Sequence, residues 1–242
     1  MTDNLKNLFD NNPELALKFN SFVFPTKKTE EWIYTNPKLL FEGIDKVEDK
    51  FQTEDLEGDI VFSNGRLISN CTSAKIKKIE ASSTIEDATQ ALQELAQNYL
   101  IQIQDEIERP IFIHQNYENS SDSHLSCSNL TIDLAENSTA TIVEVISGNS
   151  LGLHSGITKI NLAPNAKLEY VKLLPSKLNN KYLGSVITNQ KHDSFFNGVV
   201  VTLGAKISRH HLVTNLFGEN AHSNFHGLFT LDKDQHSDTL GH

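Results

Sequence analysis

Three five-residue segments of this chain resemble one another: Ala135-Glu136-Asn137-Ser138-Thr139, Ala163-Pro164-Asn165-Ala166-Lys167 and Gly218-Glu219-Asn220-Ala221-His222. From Asn137 to Asn165 the interval is about 28 residues, within the range of stacked structural repeats, and from Asn165 to Asn220 it is close to twice that. A missing member is therefore expected near position 192, where Asn189-Gln190-Lys191-His192-Asp193 supplies a polar turn. A second series of turn signals falls about half a period away, at Gly148-Asn149-Ser150, Asn179-Asn180, Gly204-Ala205-Lys206 and Asp232-Lys233-Asp234. Two turns per period imply two strands per period. Once a corner is removed, each half period leaves roughly nine or ten residues, a strand of about 30 Å at about 3.3 Å per residue. Asn and Gly recur at the corners because a sharply turning coil needs left-handed backbone, which those residues adopt at least cost.

This pattern predicts a mainly β fold, a parallel two-sheet solenoid (β-helix) of about 28 residues per turn. Between corners the strands alternate apolar positions, Ala140, Ile142 and Ile146 on one face and Phe225, Phe229 and Leu231 on another, and stacked coils bury such faces in one continuous core. An antiparallel sandwich or a cupin barrel would also give short strands and polar turns. The solenoid is favoured because the turn signals keep phase over four periods.

Residues 1–109 have a different character, that of a helical, α+β region with a small hairpin, and residues 110–242 form the β-helix core, with Pro110 at the change. Pro13 to Phe22 reads as a short helix, capped by Asn12, with Leu15, Phe19 and Phe22 at helical spacing. The only Trp, Trp32, is expected to anchor the connector that begins at Phe24-Pro25. Ile60-Val61-Phe62, a tight Ser63-Asn64-Gly65-Arg66 turn and Leu67-Ile68 read as a hairpin. Thr84 to about Ile103 reads as an amphipathic helix with a Thr84/Asp87 cap and one face carrying Ile85, Ala88, Leu92, Leu95, Tyr99 and Ile103.

A formal charge of −10 argues against nucleic acid as a partner, since it repels a phosphate backbone. No stretch approaches the roughly 18 apolar residues of a membrane span and no signal-like leader is present, so a cytoplasmic protein is expected. Cys71 and Cys127 lie far apart in the chain without CxxC spacing, which suits small buried or half-buried thiols better than a disulfide or a metal knuckle. Six of the ten histidines, His210, His211, His222, His226, His236 and His242, crowd toward the end of the sequence. Of these, His222 and His226 are the weak candidates for a metal site, since they share a strand face, although Glu219 is the sole nearby acid. No phosphate loop is present, and Gly152-Leu153-His154-Ser155-Gly156 lacks the frame of a nucleophile elbow. No catalytic residue is assigned, and no cofactor is expected to be bound by this chain itself. The alternative is a His-dependent metal enzyme on a β-barrel or β-helix.

Several segments together carry a family resemblance. They are Phe24-Pro25-Thr26-Lys27-Lys28-Thr29-Glu30-Glu31-Trp32-Ile33-Tyr34-Thr35, Phe62-Ser63-Asn64-Gly65, Arg109-Pro110-Ile111-Phe112-Ile113, and Gly227-Leu228-Phe229 followed by Gln235-His236-Ser237-Asp238. The chain resembles the SufD branch of the SufB/SufD family, subunits of the SufBCD complex for iron–sulfur cluster assembly. The resemblance implies a helical N-terminal region, a right-handed parallel β-helix, and a non-catalytic scaffold role beside a SufB-like paralogue and the SufC ATPase. Iron or a cluster would be handled at the level of the complex, and a homodimer in isolation is a further expectation. The resemblance spans the whole chain but only about the first half, or somewhat more, of a typical family member, so the chain is expected to be C-terminally truncated. The family's cluster-related Cys and His belong to the part without a counterpart here.

Overall fold

The computed structural model describes residues 2–51, 57–80, 85–118, 120–148, 151–175 and 181–242. The corner chemistry is realised in the backbone: Asn137, Asn165, Asp193 and Asn220 have φ of 62°, 59°, 57° and 56°. Asp193 thus fills the position expected near 192, and Asp shares with Asn a short polar side chain that tolerates left-handed backbone. In the second series Gly148, Gly204 and Lys233 also have positive φ. Asn149, Ser150, Asn179 and Asn180 lie outside the described residues.

The N-terminal region opens with α1 (Thr2–Asn7) and α2 (Pro13–Ser21). Asn12 caps α2, its Oδ1 accepting from the Leu15 amide at 3.1 Å, as Pro13 at the first position suggests. A 3-10 turn, Glu30–Trp32, leads to α3 (Pro37–Phe41) and the short β1 (Lys46–Val47). The expected hairpin is β2 (Ile60–Ser63) with β3 (Arg66–Asn70), turned by Asn64 and Gly65 at φ 43° and 73°. Next come β4 (Lys75–Ile79), α4 (Ala88–Gln93) and β5 (Asn98–Ile103).

The long helix expected over Thr84–Ile103 is not formed. Asp87 caps the short α4 through the Thr89 and Gln90 amides, and Thr84 lies outside the described residues. Beyond Glu94 the chain turns into β5, because Tyr99 and Ile103 fit an alternating pattern with Ile101 as well as a helical one, and strand pairing with a neighbouring coil decides between the two periods.

The coils are built from β6 (Ile111–Asn116), β7 (His124–Leu134), β8 (Thr139–Ser147), β9 (Leu153–Leu162) and β10 (Lys167–Leu174). They continue through β11 (Lys181–Gln190), β12 (Phe195–Thr202), β13 (Ile207–Leu216), β14 (His222–Phe229) and β15 (His236–Gly241). Odd-numbered strands form one parallel sheet in the order β15-β13-β11-β9-β7-β5, and even-numbered strands form the other, β14-β12-β10-β8-β6-β2. Antiparallel β4 and β3 flank β5 and β2. The two sheets thus draw strands from both sides of Arg109. Leu125, Leu153 and Lys181 stand side by side in register, so the sequence period is the coil, and about five coils stack as a β-solenoid.

Between the sheets, Ile132, Ile160, Ile142, Leu168, Phe196 and Val200 belong to one buried core, each contributing about 1.5–3 kcal/mol by leaving water. A second cluster joins Leu5, Phe9, Phe19, Trp32 and Phe41 to Leu125, Leu153 and Leu183 on the outer face of the odd-strand sheet. That is why β7, β9, β11 and β13 are buried on both faces near their starts and alternate afterwards. Farther along that outer face a ladder pins the register: Asn161 donates to Asp133 at 2.7 Å, Asn189 to Asn161 at 2.8 Å and Asn215 to Asn189 at 2.9 Å.

Three expectations about burial need correction. Phe225 is half-buried against Phe196, but Phe229 and Leu231 are exposed, because β14 is the outermost strand of its sheet and has a coil on one side only. Cys71, expected to be at least half-buried, is exposed just after β3.

Candidate functional site

The connector singled out in the sequence is bonded into the solenoid. Trp32 is buried, and the Arg209 guanidinium of β13 lies over its ring at 4.2 Å. Arg209 Nη2 donates to the Glu31 carbonyl at 2.5 Å, and Nη1 donates to the Asp238 carboxylate on the adjacent β15. The Thr35 hydroxyl donates to Asp238 Oδ2 at 2.7 Å and stands 3.0 Å from His236 Nε2. Since that hydroxyl proton is committed to Asp238, the His236 nitrogen is the donor in the second contact. Burial lowers the Arg209 pKa, and the Asp238 charge opposes that shift.

A second concentration of polar groups lies inside the lumen. Glu144 of β8 and Lys172 of β10 are register neighbours, 0% and 1% exposed, with Nζ 3.1 Å from Oε1. Glu144 also accepts from Gln115 Nε2 at 2.5 Å, from the Tyr170 hydroxyl, and from Thr158 Oγ1 at 3.0 Å across the lumen on β9. Thr158 in turn accepts from Lys172 at 3.1 Å, and the Tyr117 hydroxyl donates to Gln115 Oε1. Such saturation is what lets an ion pair survive without water.

Beside this pair runs a row of rings, Tyr117 stacked on His154, then Tyr182 at 5.4 Å and His210 at 5.2 Å between centroids. Burial, and then the Lys172 charge, push His154 well below the ordinary imidazole range and His210 down to about 3. Burial and the nearby Glu144 charge raise the Tyr117, Tyr170 and Tyr182 phenols. At neutral pH the ring groups are therefore uncharged, and the cluster is sealed from the outer surface.

The weak metal candidates His222 and His226 are both exposed on the outward face of β14. At about 3.3 Å per residue their positions on the strand are about 13 Å apart, too far for one ion to bind both. Among the described residues no group of three or more His, Cys, Asp and Glu is arranged to hold a metal. His210 and His211 point to opposite faces as alternation requires, the first into the lumen and the second outward, its ring 5.4 Å from that of His242. Cys127 is buried with Sγ 3.2 Å from the Leu92 carbonyl, and burial pushes its thiol pKa up, away from the reactive thiolate.

The Glu144–Lys172 pair is absent from the candidates that the sequence suggests. Its signal is parity: Glu144 continues the Ala140, Ile142, Ile146 face, and Lys172 stands one coil later among Leu168, Tyr170 and Leu174.

Comparison with curated proteins found no match. Comparison with protein-family models matched residues 115–241 to the SufBD core domain of the SUF system for FeS cluster assembly. That span covers β7 to β15, the coils that carry the lumenal cluster and the Arg209 clamp. With more than half of its residues in that match and the coil period that its corners dictate, the chain belongs to the SufBD core family of the SUF iron–sulfur cluster assembly system.

Proposed function

We propose that the chain is a non-catalytic scaffold subunit on the SufD side of this family. In this role it pairs with a SufB-like paralogue in the cytoplasm and is served by a SufC-type ATPase, with iron or a cluster as cargo of the whole complex. The observation that carries the reading is the clamp: the connector Phe24–Thr35, the most specific of the segments resembling SufD, is bonded through Trp32, Glu31 and Thr35 to the family core at Arg209 and Asp238. The polar groups richest in chemistry, Glu144, Lys172, His154 and His210, lie inside the solenoid, out of reach of a surface substrate. No helix among the described residues is long and apolar enough to cross a membrane.

Co-expression with SufB and SufC partners, followed by affinity capture and size-exclusion chromatography, tests the proposal. A stable ternary species in which ATP hydrolysis follows the SufC subunit is expected. Elution of this chain alone under the same conditions would overturn it. Light scattering of the isolated chain reports whether it self-associates.

A further inference from the structure

The ring row of the lumen contains polar atoms that no protein group satisfies. The Tyr182 hydroxyl and His210 Nδ1 have no hydrogen-bond partner, although both residues are at most 1% exposed. His154 leans toward the Ser126 backbone, yet neither ring nitrogen reaches hydrogen-bond geometry. Unpaired buried groups of this kind are rare in folded proteins because each forfeits its hydration. Four such atoms in one row are therefore a signal rather than an accident.

Glycines lie beneath them. The rings lean over positions without side chains: a Cβ at Gly184 would lie 2.2 Å from the Tyr182 hydroxyl oxygen, and one at Gly156 would lie 3.3 Å from His154 Nε2. Glycine thus lets the Tyr182 ring seat directly over backbone, and at Gly156 the side-chain atom nearest to where a Cβ would lie is Ser128 Oγ, at 2.6 Å.

We infer that the lumen between His154, Tyr182 and His210 is a binding site for internal water, with at least one molecule bridging the Tyr182 hydroxyl to an imidazole nitrogen. Charge decides the class of ligand. The Lys172 ammonium is committed to Glu144 and Thr158, the imidazoles are neutral, and the Glu144 carboxylate repels a second negative charge. A neutral molecule that both donates and accepts matches a phenol and two imidazoles, and in a close-packed lumen water is the one of fitting size. With Thr202 3.0 Å from His210 Nε2, the bridge completes a hydrogen-bonded path from Thr202 inward across successive coils. The inference rests on burial and hydrogen bonding within this chain, independently of its partners.

Oxygen-17 magnetic relaxation dispersion counts long-lived internal waters, and it can be applied to the wild-type chain, Tyr182→Phe and His210→Gln. The expected result is fewer such waters in Tyr182→Phe than in wild type, together with a lower denaturation midpoint. An unchanged count, or a Tyr182→Phe protein that unfolds at higher denaturant, would mean that the phenol is simply orphaned and would overturn the inference. If Tyr182→Phe does not fold, the count for His210→Gln against wild type decides by the same criterion. A bromide soak of crystals provides the other arm: an anomalous peak among these residues would replace water with an anion, and its absence is expected.

Discussion

Arg209 and Trp32 stand far apart in the sequence and 4.2 Å apart in space, cation over ring. The guanidinium also bridges the Glu31 carbonyl to the Asp238 carboxylate, so one side chain fastens the N-terminal connector to two strands of neighbouring coils. Lysine reproduces the charge but neither the planar stacking nor the two-directional fork. Arg209→Lys is expected to cost about 2–4 kcal/mol in urea denaturation, because the half-buried Asp238 loses its directed partner and Trp32 its stacked cation. Proteolysis should then release the N-terminal region before the solenoid is cut. Wild-type stability in the variant would show that the connector is held by apolar contacts alone.

The Glu144–Lys172 pair makes an asymmetric prediction. Lys172→Met leaves a carboxylate in the lumen and should cost about 3–5 kcal/mol, whereas Glu144→Gln combined with Lys172→Met removes both charges and should recover much of the loss. Chemical denaturation of the single and double variants measures the coupling. Strict additivity would mean that the two groups do not depend on each other.

The visibility of these features in the sequence differs for physical reasons. The corners are legible because left-handed backbone restricts the residue type, so Asn137, Asn165 and Asn220 announce themselves and point to Asp193. The two-sheet solenoid follows from their spacing. The α4–β5 region is not legible, since Tyr99 and Ile103 satisfy both a helical and an alternating pattern and only pairing with β7 separates them. Lumenal charge is hidden for another reason: Glu144 and Lys172 read as surface residues until the coil register places each beside the other. The histidines show the reverse effect. Their crowding near the end of the chain suggests one site, but alternation and strand length scatter them over lumen, helix-covered face and open surface.

Two glycines with positive φ separate backbone strain from steric exclusion. At Gly148, φ is 131° and a Cβ would fall 1.8 Å from the Tyr117 carbonyl oxygen; at Gly43, φ is 83° and nothing lies within 4 Å. Gly43→Ala should therefore cost about 1–2 kcal/mol, the penalty of left-handed backbone alone. Gly148→Ala should cost about 3 kcal/mol or more, since the carbonyl belongs to a neighbouring coil and cannot retreat without opening the corner. Thermal unfolding of the two variants side by side makes the comparison, and equal losses would contradict it.

Acid should weaken this fold in two overlapping windows that open at different pH. His210 is held neutral, its pKa lowered to about 3 by burial and by Lys172, while an unfolded-chain imidazole titrates near 6.5. Above about pH 6.5 neither state binds this proton and the residue is silent. As pH falls from about 6.5 to about 3, the unfolded chain takes up a proton that the folded chain refuses, and stability drops by up to about 1.4 kcal/mol per pH unit for that group. His154, lowered in the same direction, adds to the slope. Glu48 acts later: burial alone would raise its pKa, but the Ser120 amide, His124, the Lys50 amide and the Ser120 hydroxyl together bring it to about 2. Its stabilisation is present above about pH 4.5 and is lost between there and about pH 2. Urea midpoints measured from pH 8 to pH 4 should therefore begin to fall near pH 6.5, before the carboxylates titrate. In His210→Gln, which keeps a polar side chain but cannot take up that proton, the decline between pH 6.5 and 5 should be shallower, and an unchanged slope would remove His210 from the account.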